Sequence, residues 1–325
     1  MLGEIIAILA VLTFVASNVI FRKTEHEASP TFINFFRTAI GTLTFILIVL
    51  FLNELDLIFQ IPWELWMLLI LSFVFGQVIG DTAYFIAQER LGTTIALAIS
   101  MTFPLFTFIL SLIFLDKLFK LNLIFSLILI GVGITIIGKS KIDTQNSDKD
   151  KKSISKKALK KRFQALFEKE VVKAIIFCFA ASLGWAVGAV MIEFATIRID
   201  KIILAEQLSS IIGNVIRFPF ALLILSSMVW RENYLNRTNN FSTNTKKSLR
   251  TWVLLIVASI IGTSLGAYLY TESVHVAGAD VVALIASASP LFALPMTYFI
   301  NKETISQFGF IGVILTICGV VVIIL

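Results

Sequence analysis

Titratable and metal-ligating chemistry is scarce in this chain: its 325 residues include two cysteines, two histidines and only 15% Asp, Glu, Lys and Arg. Cys178 and Cys318 stand singly in apolar stretches, which fits packing roles and offers neither a disulfide nor a metal pair. His26 and His275 fall near loops with no triad-like partner close in sequence. There is no phosphate loop ahead of a helix and no nucleophile elbow, and Gly131-x-Gly133 is too short a glycine motif and lies inside an apolar run. These absences argue against an enzyme, so no catalytic residue, metal or cofactor is expected. The shortage of charge equally excludes a water-soluble globular domain, since 58% of residues are hydrophobic, 29 are Phe and the mean hydropathy is +0.92.

What is present is a series of apolar runs, each long enough to cross about 30 Å of hydrocarbon at about 1.5 Å per residue. They predict an all-α membrane protein with ten transmembrane helices near 2–21, 31–52, 63–87, 92–115, 121–138, 172–194, 202–230, 251–273, 279–300 and 305–325. Membrane strands would show short alternating segments instead. The first run carries Glu4 where a secretory signal carries positive charge, and it lacks a small-x-small cleavage site, so it is read as helix one.

The chain repeats itself. Gly76, Gly80, Tyr84, Gly92, Pro104, Leu105, Phe106 and Gly133 each meet the same residue type at one fixed offset, in Gly262, Gly266, Tyr270, Gly278, Pro290, Leu291, Phe292 and Gly319. The expected organisation is a five-helix repeat over 1–140, a basic linker over 141–171 and a second five-helix repeat over 172–325. Within the linker, Ile154, Ala158, Phe163, Leu166 and Phe167 recur at roughly helical spacing opposite a lysine-rich face. That pattern suits either a helix lying on anionic lipid headgroups, over about 151–170, or a solvated basic connector.

Ten spans place loops alternately on two sides. One side collects twenty-one Lys and Arg, including the linker, Arg22, Lys23, Arg90 and Arg231, against four on the other. The rule that basic residues favour the cytoplasm puts the linker inside and both termini outside. Nucleic acid is an unsuitable partner, because no soluble domain presents a basic face. An odd number of helices per repeat inverts the second copy relative to the first, and inverted copies enclose a site near the midplane that mirrored motions open to either side.

In this order and spacing, Ala16-Ser17-Asn18, Phe36-Arg37 and Pro104-Leu105-Phe106, answered by Gly184-Trp185-Ala186, Ile216-Arg217 and Pro290-Leu291-Phe292, resemble the drug/metabolite transporter superfamily, in particular its EamA-type branch. The resemblance implies that helices one to four and six to nine surround a central cavity while five and ten stand outside. It also implies export or exchange of amino acids, metabolites, drugs or nucleotide-sugar-like compounds. Many members keep both termini in the cytoplasm, and the charge count here points the other way.

The resulting expectation is a secondary active transporter in the plasma membrane, moving a small organic solute such as an amino acid. A channel or a non-transporting scaffold are the rival classes, and no charged ring or filter-like sequence supports a channel. An ionisable residue inside the bilayer calls for a function or a partner. Arg37 and Arg217 hold matching places in the second helix of each repeat, at a slightly shorter offset than the glycines. They are substrate-binding candidates that either take an anionic group or pair internally. Asp81, whose repeat counterpart is Ala267, either pairs with an arginine or takes up a proton, with Glu206 and Glu272 as rivals for proton coupling. Asn18, Gln77, Tyr84, Trp185, Asn214 and Tyr270 are cavity candidates or interhelical glue. Gly76, Gly80, Gly262 and Gly266, with Gly184-x-x-x-Gly188, let backbones approach closely, and Pro104 and Pro290 are expected mid-helix as hinges.

Overall fold

The computed structural model describes residues 2–91, 93–115, 169–203, 208–238 and 247–301, with some residues of 121–136 and 311–322. Among the described residues, six helices are long and apolar enough to cross a membrane alone. They are Leu2–Arg22 (α1), Pro30–Leu52 (α2), Trp63–Leu91, Val172–Ile203 within the longer Lys169–Ile203 (α8), Ser209–Leu235 within Ser209–Thr238 (α9), and Leu249–Ala277. Most of the linker expected over 141–171 lies outside the described residues, and so does Glu206.

Local sequence explains the helix ends. Ser29 accepts a hydrogen bond from the Phe32 amide at 3.2 Å and Pro30 follows it at the first helical position, which starts α2. Asn53, in the left-handed region at φ 58°, stops it. A short helix, Leu55–Gln60 (α3), then precedes Trp63, an element the hydropathy pattern does not reveal. Helix α8 runs on to Ile203, well past the expected end near 194, and α9 starts at Ser209 rather than 202. The extra turns are polar but partnered: Arg198 lies over the Phe194 ring at 3.9 Å, and Asp200 pairs with His275.

Two helices depart from α geometry at matching places. Trp63–Phe73 (α4) passes into a π-helical segment, Val74–Asp81, before Thr82–Leu91 (α5). Leu249–Ser259 (α10) passes into a second, Ile260–Leu265, before Gly266–Ala277 (α11). The offset between their starts, Val74 and Ile260, is the one that relates Gly76 to Gly262 and Gly80 to Gly266.

Pro104 and Pro290 do not sit mid-helix. The run expected at 92–115 is two helices, Thr93–Ser100 (α6) and Phe103–Phe114 (α7), and that at 279–300 is Ala279–Ser287 (α12) and Ser289–Asn301 (α13), bent by 41°. A proline lacks the amide that would bond four residues back and its ring clashes with that carbonyl, so the helix stops and restarts with proline in its first turn. Both restarts are tied alike, Leu105 N–H to Thr102 O at 3.1 Å and Leu291 N–H to Ala288 O at 2.9 Å.

The burial pattern is inside-out. Phe51, Phe59, Trp63, Trp230 and Phe299 are among the most exposed side chains, while Asn18, Asn34, Arg37, Asp81, Asn214 and Arg217 are buried. Such a surface is stable against lipid and not against water, and the tryptophans suit the membrane interface. Inside, α1 packs most extensively on α11, α9 on α2, and α8 on the first π segment, so each half is braced by the other.

At one end of the bundle Arg22 donates to the Gln88 carbonyl at 2.8 Å and pairs with Glu25, which also accepts from Gln88 Nε2 at 2.7 Å. Burial pushes the Glu25 carboxyl above its ordinary 4.5, and the contacts with Gln88 and Arg22 offset this only in part. A raised folded-state value means that the folded chain holds this proton more tightly. The stability it contributes is complete below 4.5 and lost as pH rises through the raised value. In thermal melts, Glu25→Gln is therefore expected to gain on the parent chain progressively above pH 4.5 and then level off. A gap independent of pH would contradict it.

Candidate functional site

A cavity of about 140 Å³ lies where the two halves meet, lined from α1, α2, both π segments, α8, α9, α11 and the α6/α7 and α12/α13 breaks. Its walls mix small residues (Gly76, Gly188, Gly262, Gly266, Ala267) with aromatic ones (Phe14, Phe73, Phe103, Trp185, Tyr270) and hold Arg37, Asp81 and Arg217.

The glycines set the helix crossings that shape it. A Cβ on Gly184 would lie 2.5 Å from the Phe75 carbonyl oxygen, and one on Gly188 would lie 2.7 Å from the Ser72 carbonyl oxygen, so α8 rests directly on the backbone of the end of α4 and the first π segment. In the other half, a Cβ on Gly262 would overlap Ser17 Oγ, and one on Gly266 would meet Thr13 Oγ1 at 2.8 Å. Thr13 and Ser17 on α1 thus answer Gly184 and Gly188 on α8, both pairs at the same offset. That offset lengthens from the first helix to the second and again to the third, then stays fixed, which places the length differences in the first two loops of each copy. A small-x-x-x-small reading that admitted Ser and Thr would have found this pair.

Gly80 also makes room for the charged centre. Its missing side chain leaves space for Trp185, whose indole carbon Cδ1 would sit 2.8 Å from a Cβ there. Trp185 Nε1 then donates to Asp81 Oδ1 at 2.7 Å, and Asp81 Oδ2 lies 3.4 Å from Arg37 Nη1. Arg37 Nε donates across the halves to Thr263 Oγ1 at 2.9 Å, and its guanidinium faces the Phe21 and Phe85 rings at 5.9 and 5.5 Å.

Arg217 has different company. Nε donates to Asn214 Oδ1 at 3.0 Å, Nη2 to Thr271 Oγ1 at 2.7 Å, and the Phe73 ring lies at 4.8 Å. These partners are neutral, and among the described residues no carboxylate pairs with Arg217.

Of the other sequence candidates, Gln77 lines the cavity and donates to Asn34 Oδ1 at 3.1 Å and Thr38 Oγ1 at 3.0 Å. Tyr270 and Trp185 are wall residues. Asn18, Tyr84 and Asn214 are fully buried but outside the lining; Tyr84 packs on Phe14 and Trp185, and Asn214 positions Arg217. Glu272 also lies outside the lining.

Asn34 is a centre the sequence reading omits. It donates to the Gln77 carbonyl and to Thr82 Oγ1, both at 2.8 Å, binding the π segment to α2. Its repeat counterpart is Asn214, at the offset that relates Arg37 to Arg217, and that shared offset was the available signal.

Known proteins resemble this chain in sequence and in fold. The chain is 24% identical to an uncharacterized transporter of Archaeoglobus fulgidus over 327 aligned positions, covering 100% of this chain and 99% of that protein. A solved crystal structure superposes with a TM-score of 0.69 at 15% identity, covering 98% of this chain and 95% of the other, a likeness of fold. The model of the EamA-like transporter family matches residues 1–139 and 172–325, and the chain belongs to that family.

Proposed function

We propose that the protein is a secondary active transporter which exports or exchanges a small organic metabolite, such as an amino acid, by alternating access around the central cavity. The observation that carries this is the cavity itself: both halves line it, and it is bordered by two π segments and two proline restarts at matched positions. Wide π turns occur disproportionately at functional sites, and broken helices supply places where a bundle can flex.

Ten spans in two oppositely directed sets remain part of this proposal. The described residues of 124–133 and those of 311–322 are helical, which supports an outer helix in each half. Gly3 at the start of α1 abuts Ala277 at the end of α11, and Asp200 near the end of α8 pairs with His275 in the last turn of α11. So α1 begins where α8 ends, as opposed copies require. At the other end, Glu27 accepts from the Ser248 amide at 2.7 Å, joining the α1–α2 connection to the start of α10.

Asp81 is the proposed proton-coupling group, held between Arg37 and Trp185, with an ion gradient or solute exchange as the driving force. The basic side is assigned to the cytoplasm of the plasma membrane with the linker on anionic headgroups and both termini outside. Reconstituted into proteoliposomes, the protein is expected to give saturable, counterflow-competent flux, and Asp81→Asn to abolish its dependence on a pH gradient. Unsaturable conductance would assign a channel. No flux of any solute would assign a scaffold.

A further inference from the structure

We infer that Arg217 is the seat for the carboxylate of a small organic acid, whose apolar remainder lies against the aromatic wall of the cavity. This rests on the transporter reading and names its substrate class.

The argument begins from an asymmetry. Arg37 and Arg217 occupy matching places in the two halves, both line the cavity, and both are nearly inaccessible, at 5% and 2% exposure. Arg37 has its counter-ion in Asp81. The repeat counterpart of Asp81 is Ala267, which lines the same cavity. The second half therefore keeps the guanidinium and lacks the acid. A guanidinium has five N–H donors, and two of those on Arg217 are used by Asn214 and Thr271. The other three have no partner among the described residues, on a side chain that borders the cavity.

A cation taken out of water without an opposite charge is a standing deficit, which an arriving anion offsets. The planar fork of Arg217, held at its Nε edge by Asn214, suits the two parallel oxygens of a carboxylate. Asp81 already neutralises Arg37, so one net positive charge remains and a mono-anion balances it. The rest of the wall is Phe14, Phe103, Trp185, Tyr270 and small residues, which suit an aliphatic or aromatic tail. The volume of about 140 Å³ lies below the ≈ 300 Å³ where drug-sized pockets begin. Asp81 is committed to Arg37 and Trp185, so an amino group is not a required feature of the solute.

The test uses the full chain in lipid nanodiscs, with titration calorimetry and thermal melts. The probes are 3-phenylpropionate, phenylpyruvate and phenylalanine, set against 3-phenylpropionamide, phenethylamine and inorganic phosphate. The mono-anions 3-phenylpropionate and phenylpyruvate are expected to bind and raise the melting temperature, and the zwitterion phenylalanine to bind more weakly because its ammonium finds no free acid; the amide and the amine are not expected to bind. Arg217→Gln is expected to weaken carboxylate binding by about 100-fold, the scale of losing a charge-assisted bidentate contact, with Arg217→Lys in between. Ala267→Asp supplies the missing acid and is expected to abolish binding while raising the melting temperature of the unliganded protein. If that variant does not fold, Arg217→Gln decides alone.

Equal binding of amide and acid, binding of phosphate alone, no carboxylate binding, or carboxylate selectivity that survives Arg217→Gln would each overturn the seat. Proteoliposome flux separates the two readings. Saturable flux of a solute indifferent to Arg217→Gln removes the seat and leaves the transporter. Arg217-dependent carboxylate binding without flux removes the transporter and leaves the seat.

Discussion

Asp81→Ala is expected to lose about 3–5 kcal/mol of stability, the range for breaking a buried ion pair by deleting one partner. The Arg37 guanidinium would remain at 5% exposure with only Thr263 and two aromatic rings around it, and Trp185 Nε1 would lose its acceptor. The cost comes from the stranded charge more than from the lost attraction. The double variant Asp81→Leu with Arg37→Met is therefore expected to recover most of the loss, since an apolar pair of similar volume often equals a buried salt bridge. Chemical denaturation of the parent, Asp81→Leu, Arg37→Met and the double variant closes the cycle. A double variant as unstable as Asp81→Ala would show that the pair itself holds α2 to the first π segment. Transport should fail in the double variant whatever its stability.

Gly184→Ala is expected to cost about 3 kcal/mol, the upper end of ordinary overpacking, and to resist rescue. Its new methyl would stand 2.5 Å from the Phe75 carbonyl oxygen and its second-nearest contact is the Gly80 backbone. Main-chain atoms cannot rotate aside, so α8 must move away from the helix that carries Asp81. Gly262→Ala makes a useful contrast. It overlaps Ser17 Oγ and Ser17 Cβ, atoms that a second substitution can remove. Ser17→Gly combined with Gly262→Ala is expected to melt near the parent, whereas no single side-chain change restores Gly184→Ala. Melting temperatures of the three variants, with the Trp185 fluorescence that reports on its contact with Asp81, test this. Full stability of Gly184→Ala would mean that the crossing is looser than its distances imply.

Much of the architecture was readable because hydrocarbon thickness imposes a length on every crossing helix, and apolar runs of that length are hard to miss. Boundaries failed where helix and hydropathy part company. Residues 195–203 are helical although they carry Arg198, Asp200 and Lys201, since Phe194 and His275 give two of these groups local partners. The prolines were readable as interruptions but not as restarts, because the pattern shows that a ladder is broken without showing on which side. The π segments left no trace. Over so short a stretch, a slightly wider turn does not alter a pattern that is apolar throughout. For the site, the costly residues Arg37, Asp81 and Arg217 stood out by composition alone, while their pairing depends on how each helix is rotated about its own axis. That rotation is set by contacts such as Gly80 with Trp185 and Asn34 with Gln77, which link distant parts of the chain.

The two π segments also carry a date. A π turn holds one residue more than an α turn, and such turns are rare. Finding it at Val74 and again at Ile260, in register with the glycines around it, makes two independent insertions the less economical history. A single origin, in a unit that then doubled, is the history this match favours. Asp81 and Ala267 show where the halves differ: both have the wide turn, and one of them holds a charge beside it.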